Sequence, residues 1–205
     1  MTRGPVDNIV ASGTFSLHDG TWDVDNNVWI VSDDEVVVID AAHDAEKIAP
    51  GIGGRRAVAQ VCTHAHDDHI NQAPTRSDRF DTPVLLNPAE APLRQTTHPH
   101  RKLSDGDVLH AGGIERRVLL TRGHSPGSSC LHAPELGTVF TDDTLFQGGP
   151  GATGRSYLSS DTIIEPIRTA LLTLPGDTIV RARHGDSTTM GTEAPHLEEW
   201  IARGQ

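Results

Sequence analysis

Six consecutive residues, His64-Ala65-His66-Asp67-Asp68-His69, carry three imidazoles and two carboxylates. Imidazole nitrogen and carboxylate oxygen are the usual donors for zinc and related divalent cations. The bland alternative is a solvated histidine-rich loop, since such tracts bind metal without function. Three downstream positions argue against it. His124 lies in Thr121-Arg122-Gly123-His124-Ser125-Pro126-Gly127 after the apolar run Val118-Leu119-Leu120. Asp143 lies in Thr141-Asp142-Asp143-Thr144-Leu145-Phe146 after Thr138-Val139-Phe140, and His184 in Arg183-His184-Gly185-Asp186 after Thr178-Ile179-Val180. The first cluster likewise follows Ala57-Val58-Ala59-Gln60-Val61-Cys62. Each short apolar run reads as a buried strand. Strand ends thus deliver ligand-type side chains onto loops, where a rigid scaffold presents functional groups. Glycine beside them permits close backbone approach.

The ordered pattern His-x-His-x-Asp-His, then a His, then an Asp, then a C-terminal His resembles the signature of the metallo-β-lactamase superfamily, from about Asn26 to Trp200. Within it, Gly123-His124-Ser125-Pro126-Gly127-Ser128, Asp143-Thr144-Leu145-Phe146 and His184-Gly185-Asp186-Ser187-Thr188-Thr189 are similar to the small glyoxalase II-like thioester hydrolases. The resemblance implies an α/β fold, a four-layer αββα sandwich, with residues 1–205 forming a single domain. It implies two divalent metal ions, zinc first, with iron or manganese as alternatives. His64, His66 and His124 would form one site, Asp68, His69 and His184 a second, and Asp143 would bridge both. A hydroxide shared by the two cations would be the nucleophile, since paired cations depress the pKa of bound water. Asp68 would also orient it. Three positions depart from the family pattern: Asp142 and Arg183 stand where glycine is usual, and Arg122 where proline is usual. Asp142 is therefore the alternative bridging residue, and Asp-Thr-Leu-Phe aligns Asp143 first.

The function implied is hydrolysis of an acyl thioester of a small cellular thiol, glutathione- or mycothiol-like. A lactonase on the same scaffold and a mononuclear-iron thiol-persulfide dioxygenase are the alternatives. The intact residues His69 and His184 favour hydrolysis over the mononuclear site. Substrate contact is expected from Gly148-Gly149-Pro150-Gly151-Ala152-Thr153-Gly154-Arg155-Ser156, where four glycines within seven residues permit close approach and Arg155 offers a clamp for a carboxylate. Longer glyoxalase II proteins grip glutathione with an additional C-terminal helical region; none is expected here after Trp200, so glutathione specificity is not carried over as an expectation.

Other polar residues read more plainly. Ser125 and Ser128 lack the Gly-x-Ser-x-Gly elbow of a nucleophile and suit turn hydrogen bonding. His43, His98 and His100 read as surface or capping residues rather than ligands. Asp67 points outward or supports a ligand imidazole. Cys62 shares a strand face with His64 but reads first as a small buried hydrophobe.

The elements that position these groups form two halves. Val28-Trp29-Ile30-Val31 and Glu35 to Asp40 predict a hairpin turning at Ser32-Asp33-Asp34. Asp44 to Ile48 opens a short helix, and Asp68 is expected to cap a helix through Ala73. Thr82 to Asn87, Glu115 to Leu120, Ser129 to His132, Leu136 to Thr141 and Thr178 to Ala182 read as strands. Asp161 to Leu174 and Ala194 to Ala202 read as helices, the former stopped by Pro175.

The chain has 205 residues and a formal net charge of −11. That length buries a sizeable core without staples. Two cysteines and a polar N-terminus suit a reduced, cytoplasmic protein. The acidic balance argues against nucleic acid as partner, because backbone affinity rests on Lys/Arg contacts to phosphate. No apolar run is long enough to span a bilayer. A small-molecule thioester is the expected partner.

Overall fold

The computed structural model describes residues 6–17, 20–71, 73, 81–93, 99–152 and 160–204. Arg155 and His98 lie outside the described residues. The chain divides into two compact units, Met1–Leu103 with His110–Ile114, and Ser104–Leu109 with Glu115–Gln205.

The first unit is built on a six-stranded sheet in the order β1-β2-β3-β4-β5-β6. β1 (Val6–Leu17) and β2 (Gly20–Val31) form a long antiparallel hairpin in which Phe15 opposes Trp22. The sequence reading placed only Val28–Val31 in a strand and missed β1. The expected hairpin at Ser32-Asp33-Asp34 is present, with β3 (Glu35–Ile39) antiparallel to β2. β4 (Arg56–Val61), β5 (Val84–Leu86) and β6 (Arg101–Lys102) then add in parallel. Val36, Val37 and Val38 are all buried, so β3 reads as a continuous apolar run rather than an alternation.

Helix α1 (Ala45–Ile52) starts at Asp44, whose carboxylate accepts from the backbone N–H groups of Glu46 and Lys47 at 3.0 Å. Its Ile48 and Ile52 lie one turn apart and pack with Val28, Ile30, Val36 and Val38. Helix α2 (Asp67–Ile70) is a single turn. Its N-cap is His66, without a side-chain cap bond, so Asp68 sits in the first turn rather than at the cap. An acid there complements the helix dipole.

A second sheet, most of it in the second unit, has the order β14-β13-β10-β9-β8-β7, with β7 at Val108–Ala111, β8 at Ile114–Leu120, β9 at Ser129–Ala133, β10 at Thr138–Asp142, β13 at Ile179–Ala182 and β14 at Thr188–Thr189. β10 runs parallel to β13 and antiparallel to β9. A small ribbon pairs β11 (Leu145–Phe146) with β12 (Gly149–Pro150). The expected helix from Asp161 is an α-helix over Ser160–Pro166 that widens into a π-turn over Ile167–Leu171. Ile163, Ile167 and Leu171 pack with Cys130, Val139, Val180 and the fully buried Trp200 of the last helix, Leu197–Arg203. Among the described residues no helix is long and apolar enough to cross a membrane.

Candidate metal centre

In the first unit the ligand candidates leave the end of β4. Cys62 packs with Ala65, Ile70, Ala73, Val84 and Leu86, which makes it core rather than site. The neighbouring strand β3 ends at Asp40, whose φ of 52° turns the backbone left-handed. Its Oδ1 accepts from the Thr63 backbone N–H and its Oδ2 from the Thr63 hydroxyl, both at 2.8 Å. The same Oδ2 lies 3.9 Å from Nδ1 of His69. Glu90, fully buried in the short 3₁₀ turn Pro88–Glu90, accepts from the Ala65 backbone N–H at 2.9 Å. Buried carboxylates therefore hold the residues on both sides of His64.

The ligand side chains converge within this unit. Nε2 of His64 is 2.8 Å from Nδ1 of His66, and the His64 and His69 rings have centroids 3.8 Å apart. Nε2 of His69 is 3.5 Å from Oδ2 of Asp68. Nitrogen lone pairs so close repel unless a proton or cation lies among them, so the donor set suits a divalent cation. Beside it, the Phe15 ring lies 5.6 Å from that of His66 and 6.0 Å from that of Trp22, which is 46% exposed. Burial, and then the Asp68 charge, push the Asp67 carboxyl above its usual range.

In the second unit three loops carry the rest. His124 follows β8, Asp143 follows β10, and His184 follows β13. Nδ1 of His124 donates to the Ala152 carbonyl at 3.2 Å, because a carbonyl oxygen only accepts. Nε2, the bare nitrogen of the neutral ring in that tautomer, faces Oδ2 of Asp143 at 3.3 Å. Oδ1 of Asp143 lies 3.7 Å from Nε2 of His184. One carboxylate thus stands between two imidazoles with one oxygen turned to each.

Two glycines set this geometry. At Gly123, φ is +137° and a Cβ would lie 2.4 Å from the backbone N and Cα of Ile163. The close approach is to the helix Ser160–Pro166, where the sequence reading expected crowding toward a metal. A Cβ on Gly151 would lie 1.9 Å from the Asp143 carbonyl oxygen. Gly151→Ala is accordingly expected to displace Asp143 and lower metal content, read by elemental analysis. Wild-type metal content in that variant contradicts the expectation.

The departures from the family pattern have distinct consequences. Asp142 has φ 50°, the left-handed conformation that glycine adopts freely, so the turn survives the substitution. Its carbonyl accepts from the Arg183 backbone N–H at 3.4 Å, and both side chains are buried. Arg122 is exposed. Ser125 and Ser128 bond to each other, Oγ to Oγ, at 2.6 Å, which is the turn role expected of them. Burial pushes the Cys130 thiol up to about 12, so it stays protonated near neutrality. Nδ1 of His100 accepts from the Val84 backbone N–H at 3.1 Å. His43 is not a plain surface or capping residue: its ring is hydrogen-bonded to Asn26 and its backbone N–H to Asn71. Sequence reasoning also gave no role to Asn26 or Glu90, and no motif marks either.

The model of the metallo-β-lactamase superfamily matches residues 20–184, which contain every ligand candidate. The chain is 31% identical to the hydroxyacylglutathione hydrolase GloC of Haemophilus influenzae, covering 82% of this chain and 89% of that one. Among solved structures, BLEG-1, a B3 metallo-β-lactamase, is 26% identical with a TM-score of 0.78, over 92% of this chain and 99% of that one. A di-iron-bound form of TTHA1623 is 28% identical with a TM-score of 0.74, over 89% and 96%. The fold class is the αββα one that the motifs implied.

Proposed function

This chain belongs to the metallo-β-lactamase superfamily, and on that premise we propose that it is a dinuclear metal-dependent hydrolase of acyl thioesters of a small cellular thiol. The observation that carries the reading is the Asp143 carboxylate, with one oxygen toward His124 and the other toward His184. A carboxylate so disposed is suited to serve two cations. In this reading His64, His66 and His124 hold one ion, Asp68, His69 and His184 the other, and Asp143 both. Five imidazoles and two carboxylates form a nitrogen and oxygen donor set suited to zinc, iron or manganese. The likeness to a di-iron protein supports keeping iron beside zinc. Divalent cations so held acidify coordinated water and polarise a carbonyl oxygen.

The chain's own residues supply the rest. Asp40 and Glu90 hold the backbone around His64, which fixes the ligand loop before substrate arrives. The Ala152 carbonyl fixes the His124 tautomer. Phe15 and Trp22 offer an apolar wall beside His66, suited to an acyl chain. Arg155 is proposed to clamp an anionic thiol moiety. The name of the Haemophilus relative supports a thiol conjugate as substrate.

Metals alone do not choose between thioester and lactone. Choice comes from binding the part of substrate remote from the bond. Thioesters of small anionic thiols are therefore expected to show a higher kcat/KM than short- or long-chain lactones, and Arg155→Ala to narrow the gap mainly through KM. Comparing both panels at one pH with metal-loaded protein tests this. Faster lactone opening, unchanged by the arginine substitution, overturns the thioesterase reading. A single iron with oxygen uptake on a persulfide overturns the hydrolase reading altogether.

A further inference from the structure

The ligand cluster of the first unit is backed by a closed ring of hydrogen bonds that no sequence motif announces. Asn26 on β2 is fully buried. Its Nδ2 donates to the Asp68 carbonyl at 2.8 Å and to Asp68 Oδ2 at 3.2 Å, and lies 3.1 Å from Nε2 of His43. On its other side, the His43 backbone N–H donates to Oδ1 of Asn71 at 2.7 Å, and Nδ2 of Asn71 lies 3.3 Å from Nδ1 of the ring. Asn71 is the C-cap of α2, and its own N–H donates to the Asp67 carbonyl. The ring therefore runs from Asp68 through Asn26, His43 and Asn71 back to the helical turn that bears Asp68.

The polarity of this ring is determined. A backbone carbonyl accepts only, so the Asp68 carbonyl fixes Nδ2 as the end of the Asn26 amide facing it. A backbone N–H donates only, so the His43 N–H fixes Oδ1 of Asn71. Both amide nitrogens thus face the imidazole as donors. An imidazole nitrogen that meets an amide N–H must accept, and a neutral ring offers one such nitrogen. The shorter contact places its bare nitrogen at Nε2. An amide nitrogen has two hydrogens: one goes to Asp68 and the other to His43, so His43 sets the rotation of the amide that holds Asp68.

Two backbone features are shaped around this arrangement. His43 has φ 57°, uncommon for a residue with a side chain, which places the ring beneath β1. Gly13 of β1 leaves the space the ring fills, since a Cβ there would lie 2.1 Å from Nδ1 of His43.

We propose that His43 is a positioning residue that acts through Asn26 to hold the Asp68 carboxylate in its metal-binding orientation. This rests on the reading of Asp68 as a ligand. The test is calorimetric titration of the metal-free full chain with Zn²⁺, repeated with Co²⁺ to follow coordination by its visible bands. His43→Leu keeps the bulk and removes the acceptor, and is expected to weaken one binding event about 10- to 100-fold. His43→Gln restores an acceptor and most of the affinity. Leucine and glutamine meet the same backbone constraint at φ 57°, so their difference reads the acceptor alone. Gly13→Ala, which pushes the ring away without altering any polar group of the network, is expected to mimic His43→Leu. Adding His43→Leu to Asn26→Ala is expected to cost nothing beyond Asn26→Ala, because both act on one path. Asp68→Asn is the reference and loses the same event. If Asp68→Asn is impaired while the leucine and glutamine variants bind alike, the network role is overturned and Asp68 remains a ligand. If His43→Leu does not fold, wild-type binding by Gly13→Ala overturns the network role in its place. If Asp68→Asn binds both ions as the wild type does, the ligand reading and the proposal fall together.

Discussion

Asp143→Ala is expected to lower kcat for the proposed thioester hydrolysis by about three orders of magnitude, with loss of one of the two proposed ions. At ~1.4 kcal/mol per decade, that asks about 4 kcal/mol of barrier from one side chain. The demand is reasonable because Asp143 is the group in the second unit that faces both His124 and His184. Removing it takes a donor from each proposed ion and leaves two imidazoles without their shared anion. Asp143→Asn keeps the shape and one oxygen but loses the charge, so it should retain more metal than alanine while staying slow. Asp142→Gly is the matched comparison. Asp142 holds a left-handed turn that glycine adopts with less strain, so this variant is expected to stay active and fold at least as well. Elemental analysis and turnover on the same preparations decide it. Full activity in Asp143→Ala with an inactive Asp142→Gly transfers the bridging role to Asp142.

How far the sequence foretold this site follows from what kind of physics fixes each residue. The ligand candidates were legible because they sit at strand ends, and a strand end is visible as an apolar run broken by polar residues. His124 after β8, Asp143 after β10 and His184 after β13 all follow that pattern. The hairpin at Ser32-Asp33-Asp34 and the helix opening near Asp44 were legible from local residues alone. The long β1 was not, because its apolar residues Val6, Ile9, Val10, Ala11, Phe15 and Leu17 follow no strict alternation; its pairing to β2 is written in register rather than in composition. α2 was misread in its capping because a single turn leaves little periodicity to count. The supporting groups were the hardest. Asp40 meets Thr63 across 23 residues, Glu90 meets Ala65 across 25, and Asn26 meets Asp68 across 42. Such contacts leave no spacing rule in a single chain. The first two are set by parallel strand neighbours, β3 beside β4 and β4 beside β5, and the third by β2, antiparallel to β3.

Asp40 illustrates what such a contact contributes, and its removal should be the most damaging change outside the ligands. Its two oxygens accept from both donors of Thr63, and the second also lies near Nδ1 of His69. At 3.9 Å that oxygen is beyond hydrogen-bond reach and acts on the ring through its negative charge, which makes the imidazole a better donor to a cation. Asp40→Ala abolishes this and leaves a buried N–H and a buried hydroxyl to find new acceptors, at a cost of about 1–3 kcal/mol each when none is found. Two outcomes are expected together: metal affinity falls about 10- to 100-fold, and the metal-free protein melts at lower temperature. Asp40→Asn separates them. Its amide oxygen still accepts from the Thr63 N–H, the threonine hydroxyl can turn to accept from the amide nitrogen, and asparagine tolerates the left-handed backbone at φ 52°. Stability should therefore largely return while metal affinity stays reduced, because the negative charge opposite His69 is gone. Titration calorimetry and thermal melts of the three proteins check both halves. If Asp40→Asn binds metal as tightly as the wild type, the charge contributes nothing to His69, and Asp40 serves only to hold the backbone of Thr63.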